Sequence, residues 1–161
     1  MPPKTPYSPN LGDRDPIAAM RDTIARIAAL TGAWSAGQFE RSYAPGKWSA
    51  RQILTHLAQS EVALGYRARM AITSPGYAAQ SFDQDRWLAH ESTTSGHDAL
   101  DAFLGLAAMN ASFFEALSPT DRAATLSHPE YGSLTVDWII HQMAGHQIHH
   151  VKQLDVIATR G

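Results

Sequence analysis

Four of the chain's eight histidines fall in one short stretch, HQMAGHQIHH, at residues 141–150. A neutral imidazole offers a nitrogen lone pair at pH 7, so the chemistry open to this cluster is metal ligation or proton transfer. Helical geometry divides the four. With about 100° per residue and His146 at zero, His150 lies about 40° away and one turn along. His149 lies about 60° to the other side and His141 about 140° away. His141 is therefore expected at solvent or at a neighbour's edge. His149 reads as an edge residue or a partner to a ligand, with direct ligation as the other reading. His146 and His150 share a stripe with Ile139, Met143, Gln153 or Leu154, and Ile157, the spacing of a buried bundle seam. They stand where apolar residues would, and a buried polar group left unpaired costs about 1–3 kcal/mol.

Two ligands make a weak site, and an earlier segment supplies a third. Ser49, Ile53, His56, Ser60, Ala63 and Arg67 form a second inward stripe. Three histidines from two facing helices give a three-nitrogen site with an open position, the ligand count of a catalytic rather than a closed structural centre. Imidazoles suit zinc, nickel, iron or copper. Each histidine alone also reads as a hydrogen-bonded core residue. Ser60 and Ala63 are small and would leave room beside an ion. Arg67, about three turns beyond His56, would meet a carboxylate on a thiol or substrate, or else sit solvated near a helix end. Gln153, one turn past His150, would orient a ligand or simply pack. Phe82 and Trp87 would wall a pocket, or Trp87 would pack on the bundle. His90, His97 and His128 are assigned no role. Glu61 and Asp137 project away from the seam and read as solvated charges.

The elements that must position these residues follow from caps and breakers. Residues 1–12 hold four prolines and read as a flexible, extended arm; residues 13–161 read as one domain. Asp15 and Pro16 start a first helix that Gly32 stops. Ser49 with Gln52 forms a capping box opening a second helix to about Thr73. Residues 76–94 form a long connection with a short helix around Asp83–Ala89. A connection of that length in a compact domain is often functional. A third helix starts at Ser95 and is closed by Pro119. SHPEYGSL reads as a loop, and a fourth helix runs from Ser133 or Thr135 to about Thr159. No segment shows the alternation of a strand. The expected fold class is all-α, a four-helix bundle.

Composition narrows the function. The chain has 161 residues, 44% hydrophobic and 17% charged, with net charge -2, as expected of one globular domain. Beyond the first residues the lysines are Lys47 and Lys152 alone, so no polybasic surface suggests nucleic acid. There is no cysteine; disulfides, thiolate ligands and a cysteine nucleophile are excluded, and any thiol chemistry needs a small-molecule thiol. No apolar run approaches the roughly 20 residues of a membrane span. MPPKTPYSPN lacks the apolar core of a signal peptide, so the expected compartment is the cytoplasm.

Three segments resemble one family. GKWSARQILTHLAQSE (46–61), FDQDRW (82–87) and HPEYGSLTVDWIIHQMAGHQIHHVKQL (128–154) are similar to the DinB-like superfamily, over nearly the whole chain from about residue 15. The resemblance implies a bundle of up-down-down-up type, commonly a homodimer, with a divalent metal on His56, His146 and His150. His149 matches an adjacent histidine that is not the usual ligand. The superfamily includes S-transferases and isomerases that use bacillithiol or mycothiol. The expected function is therefore a thiol-dependent S-transferase or related transferase or isomerase. A metal-dependent hydrolase and a non-catalytic metal- or ligand-binding bundle are the alternatives. The expected cofactor is zinc or nickel, with iron the further candidate, and a low-molecular-weight thiol as co-substrate. Ser60, Arg67 and Gln153 are the candidate binding residues around a small-molecule substrate.

Overall fold

Capping chemistry sets the helix boundaries. In the computed structural model, which describes residues 1–160, a turn of helix α1 (Ser8–Leu11) precedes α2 (Pro16–Thr31). Gly161, the last residue of the expected domain, lies outside the described residues. Asp15 accepts from the Ala18 amide to start α2. A turn, α3 (Ala36–Phe39), leads to α4 (Ala50–Thr73), opened by the Ser49–Gln52 capping box. In the long connection Asp83 caps α5 (Gln84–His90). Ser95 caps α6 (Gly96–Glu115), which ends before Pro119 because Ser118 starts the short α7 (Pro119–Ala123). Thr135 caps α8 (Val136–Thr159). Helices α2, α4, α6 and α8 form the bundle, with α4 and α2 each packed between α6 and α8. Among the described residues no helix is long and apolar enough to cross a membrane.

Two expectations about the elements themselves are corrected. SHPEYGSL is not simply a loop: β1 (Thr125–His128) pairs antiparallel with β2 (Gly132–Thr135), Leu126 opposite Leu134. Four residues are too few for alternation to stand out, and the hairpin gains a further partner where Ser127 exchanges backbone bonds with Tyr77 and Ala79. The N-terminal residues are not an extended arm throughout. Thr5 and Leu11 are buried, and α1 packs on α8. Gly145 permits that approach, since a Cβ there would come within 2.5 Å of the Tyr7 carbonyl oxygen.

The core is two apolar clusters with a polar layer between them. One cluster includes Met20, Ala68, Phe114, Ile139 and Met143. The other includes Ile27, Ile53, Leu57, Phe103, Leu154 and Ile157. Buried polar side chains gather between those sets on every bundle helix: Thr23 on α2, Ser60 and Glu61 on α4, Asn110 on α6, and His146, Gln147 and His150 on α8. Glu61 is thus not a solvated charge. It is 3% exposed, and its carboxylate accepts from Asn110 Nδ2 at 2.8 Å and Gln147 Nε2 at 2.6 Å. Arg69 donates in turn to Asn110 Oδ1. One side chain so ties three helices. Burial, only partly offset by the two amide donors, pushes its carboxyl up to about 7. Asp137 is half-buried and pairs with Arg122 and with His141. His141 is itself buried, contrary to its expected outward position, and donates from Nδ1 to the Asp137 carbonyl.

A raised carboxyl binds a proton more readily in the folded than in the unfolded chain, so its contribution is complete at low pH and is lost as pH rises through about 7. Glu61→Gln removes this titration. In urea unfolding of metal-free protein, the stability difference from wild type is expected to shift in the variant's favour by on the order of 1–3 kcal/mol between pH 5 and pH 8. A difference independent of pH would contradict the buried, proton-binding carboxyl.

Candidate metal centre

The capping box at Ser49 and the cap at Thr135 fix the rotation of α4 and α8, and that rotation turns His56, His146 and His150 toward one another. His56 Nε2 lies 2.9 Å from His146 Nε2, which lies 3.0 Å from His150 Nε2. One potential ligand atom from each residue falls within 4.8 Å of the other two. Metal–imidazole bonds of about 2.1 Å let one ion span nitrogens up to about 4 Å apart. All three residues are buried.

The protonation states suit a cation. Desolvation, reinforced by the neighbouring imidazoles, brings His56 down to about 4 and His150 to about 3, and holds His146 well below the ordinary value. All three are neutral at pH 7. His150 Nδ1–H donates to Gln153 Oε1 at 2.7 Å, because an amide oxygen can only accept. That bond leaves Nε2 with its lone pair facing the other two histidines. Gln153 Nε2 donates onward to His149 Nε2 at 3.3 Å. His149 is half-buried beside the group and does not join the cluster. The Nδ1 of His56 is buried without a hydrogen-bond partner among the described residues. Lone pairs crowded into a buried centre call for a shared cation, and the donor set fits a divalent transition metal.

Aromatic rings close the sides. Trp48 packs against His56 at 4.9 Å and lies parallel to His150 at 6.4 Å between centroids. Tyr7 meets His146 edge-on at 5.0 Å. A cleft of about 290 Å³ opens from His56 and His146 along α4 and is walled by the hairpin, the 76–94 connection and α8. Of the expected binding residues, Ser60 lines this cleft, with its hydroxyl donating to the His56 carbonyl at 2.9 Å. Arg67 also lines it and is only 8% exposed, not solvated. Gln153 stands behind His150 rather than in the cleft. Phe82 is a wall; Ala63 and Trp87 line a separate groove of about 560 Å³ that meets the cleft at Arg67, Ser81 and Phe82.

Several residues of the cleft were not singled out from the sequence. His128, expected to have no role, is buried and lines the cleft because β1 turns it inward. Tyr7, Trp138 and Gln142 also face the cleft. Gln142 stands one turn before His146 on the same stripe, so helical spacing could have found it; Tyr7 depends on the path of the N-terminal segment.

Residues 19–154 match the DinB superfamily. A protein of Oceanobacillus iheyensis named "Putative metal-dependent hydrolase OB0782" is 30% identical over 76% of this chain and 72% of its own length. One of Bacillus mycoides named "Putative metal-dependent hydrolase BcerKBAB4_2443" is 23% identical over 76% and 72%. Among solved structures, YfiT from Bacillus subtilis, described as "a probable metal-dependent hydrolase with an unusual four-helix bundle topology", superposes with TM-score 0.80 at 19% identity, over 90% of this chain and 85% of that one. The mycothiol-dependent maleylpyruvate isomerase superposes with TM-score 0.72 at 13% identity, over 93% of this chain and 61% of that one. At these identities the two structures show the shared fold.

Zinc at 100 times its dissociation constant is expected to raise the unfolding free energy of chelator-stripped protein by about 2.7 kcal/mol, with no such gain in His146→Ala. The metal-free protein also carries an acid signature. Its lowered histidines bind protons less readily than in the unfolded chain, so their contribution is complete above about pH 6.5 and is lost as pH falls toward 4 and 3. Urea midpoints across pH 7 to 4 check this. Equal zinc stabilisation of wild type and His146→Ala would contradict the site.

Proposed function

The chain belongs to the DinB superfamily, and on that premise we propose that it is a metal-dependent hydrolase of a small organic substrate. The observation that carries the proposal is the convergence of His56, His146 and His150 at the end of a lined cleft. A divalent cation there, zinc, nickel or iron, would supply Lewis acidity and make a nucleophile available at neutral pH. The remaining work falls to the chain's own residues. Gln153 holds His150 in the tautomer whose Nε2 lone pair faces the centre. Ser60 keeps the helix wall beside His56 narrow, so a reacting group can approach. Tyr7 and Trp48 cover the imidazoles and keep bulk water from their edges. Gln142, whose Oε1 is buried without a partner among the described residues, offers an amide to orient the reacting group. A cleft of about 290 Å³ suits one small substrate and a water.

A second reading, transfer of a low-molecular-weight thiol to an electrophile, is favoured by the adjoining groove. Lined by Tyr66, Tyr77, Phe82 and Trp87, it would give the body of a thiol room outside the cleft. A metal-lowered pKa would then make the thiolate without a protein cysteine.

The two readings separate in one experiment. Chelator-stripped protein is reloaded with zinc, nickel or iron(II). It is assayed on a panel of small esters and amides, and on monochlorobimane with glutathione, bacillithiol or mycothiol. Hydrolysis that returns with metal and falls at least about 100-fold in His56→Ala is expected. Metal-dependent conjugation without hydrolysis would favour thiol transfer, and turnover unaffected by chelation would overturn both.

A further inference from the structure

We infer that Arg67 anchors a carboxylate, so that the substrate is a small carboxylic acid whose reacting group reaches the three histidines across an apolar spacer. The inference rests on the function proposed above. Arg67 follows His56 by eleven residues on α4, about 16 Å of helical rise, and its side chain leans back toward the helix N-terminus. It lines the cleft that touches His56 and His146. Of its five N–H donors, the structure engages one set only, Nη2 donating to the Gln80 carbonyl. Among the described residues no carboxylate forms an ion pair with it. The phenol of Tyr77 and the carboxylate of Glu130 are the acidic groups near it, and that carboxylate accepts from Ser81 Oγ instead. A guanidinium 8% exposed without an anionic partner is costly, and its planar fork matches a carboxylate. Phe82 lies beneath it at 5.8 Å. The cleft wall includes Leu64, Leu126, Leu134 and Ile139, apolar surface for a spacer. Glu130 at the rim favours a monoanionic carboxylate over a dianionic phosphate.

Calorimetry on zinc-loaded and chelator-stripped protein tests this with suberanilic acid, a carboxylate joined to an anilide by a flexible alkyl chain, and its neutral methyl ester. The acid is expected to bind about tenfold more tightly than the ester in both states. Arg67→Gln should bring the two to equality, with ester binding unchanged. Arg67→Lys keeps the charge without the fork; its reduced preference gives the same comparison should the glutamine variant not fold. Four results would overturn the assignment: no binding of the acid, equal binding in wild type, a preference surviving Arg67→Gln, or a preference lost with zinc. The last would put the carboxylate on the metal. An Arg67-dependent preference without metal-dependent turnover would instead sink the hydrolase proposal and leave this one standing.

A separate observation carries a second inference: the structure assigns Gln59 as a positioning residue for His56. On α8 the ligand His150 is held by a glutamine three residues on, Nδ1–H to Gln153 Oε1. On α4 the same spacing places Gln59 after His56. There both atoms are orphaned: His56 Nδ1 and Gln59 Oε1 are each buried without a partner among the described residues. The amide's orientation is fixed, because Gln59 Nε2 donates to Glu91 Oε2 at 3.0 Å and a carboxylate can only accept. A His56 with its Nε2 lone pair on an ion carries its proton on Nδ1, the donor Gln59 Oε1 lacks. Gln59 also links the centre to Glu91, at the end of α5.

Zinc affinity measured by competition with a chelating indicator tests the assignment without any turnover. Gln59→Ala is expected to weaken zinc about tenfold, as is Gln153→Ala. The exchange Gln59→Glu with Glu91→Gln keeps an acceptor toward His56 and a donor toward position 59, and is expected to restore affinity. Wild-type affinity in Gln59→Ala, or a double variant no tighter than Gln59→Ala, would overturn it.

Discussion

The structure turns on three buried, neutral imidazoles, the Nε2 of His146 lying about 3 Å from those of His56 and His150. At most one proton can lie between any two of them, so the remaining lone pairs face one another. Desolvation holds all three uncharged, which rules out relief by protonation at neutral pH. A shared cation would remove the conflict, because the lone pairs that oppose one another in the metal-free centre would all be donated to one ion. The apolar clusters on either side supply the burial that tolerates this layer. Glu61, bonded to Asn110 and Gln147, joins the helices at the same level. The bundle is therefore braced by polar bonds where it is least able to brace itself by packing.

Division of labour follows the topology. The bundle helices α4 and α8 carry the ligands, because caps fix their rotation and seams fix their facing. The peripheral pieces shape the cleft. α1 lays Tyr7 over His146, the hairpin turns His128 and Leu134 inward, and the 76–94 connection brings Phe82 beneath Arg67. Changes in these pieces could alter what the cleft accepts while leaving the imidazoles in place.

Much of this was legible in the sequence, for physical reasons that also explain the failures. Asp15, Ser49 with Gln52, and Ser95 fixed helix starts because their capping is local chemistry. His146 and His150 were legible because a four-residue spacing puts two side chains on one stripe, and His56 because its neighbours on its own stripe, Ile53 and Ser60, are apolar or small. The same single-face logic misplaced Glu61 and His141. It gives each helix one buried side, whereas α4 packs against both α6 and α8 and buries more than one stripe. The hairpin's strands are too short for alternation to stand out. Tyr7 and His128 reach the cleft through tertiary folding of segments with no periodicity of their own.

The most direct test is anomalous diffraction from crystals of the protein purified without chelator, collected above and below the absorption edges of zinc, nickel and iron. The expected result is one strong peak about 2.1 Å from the Nε2 atoms of His56, His146 and His150, which would identify the ion by its edge. No peak there after soaking in each metal, or a peak held by other residues, would contradict the three-histidine centre.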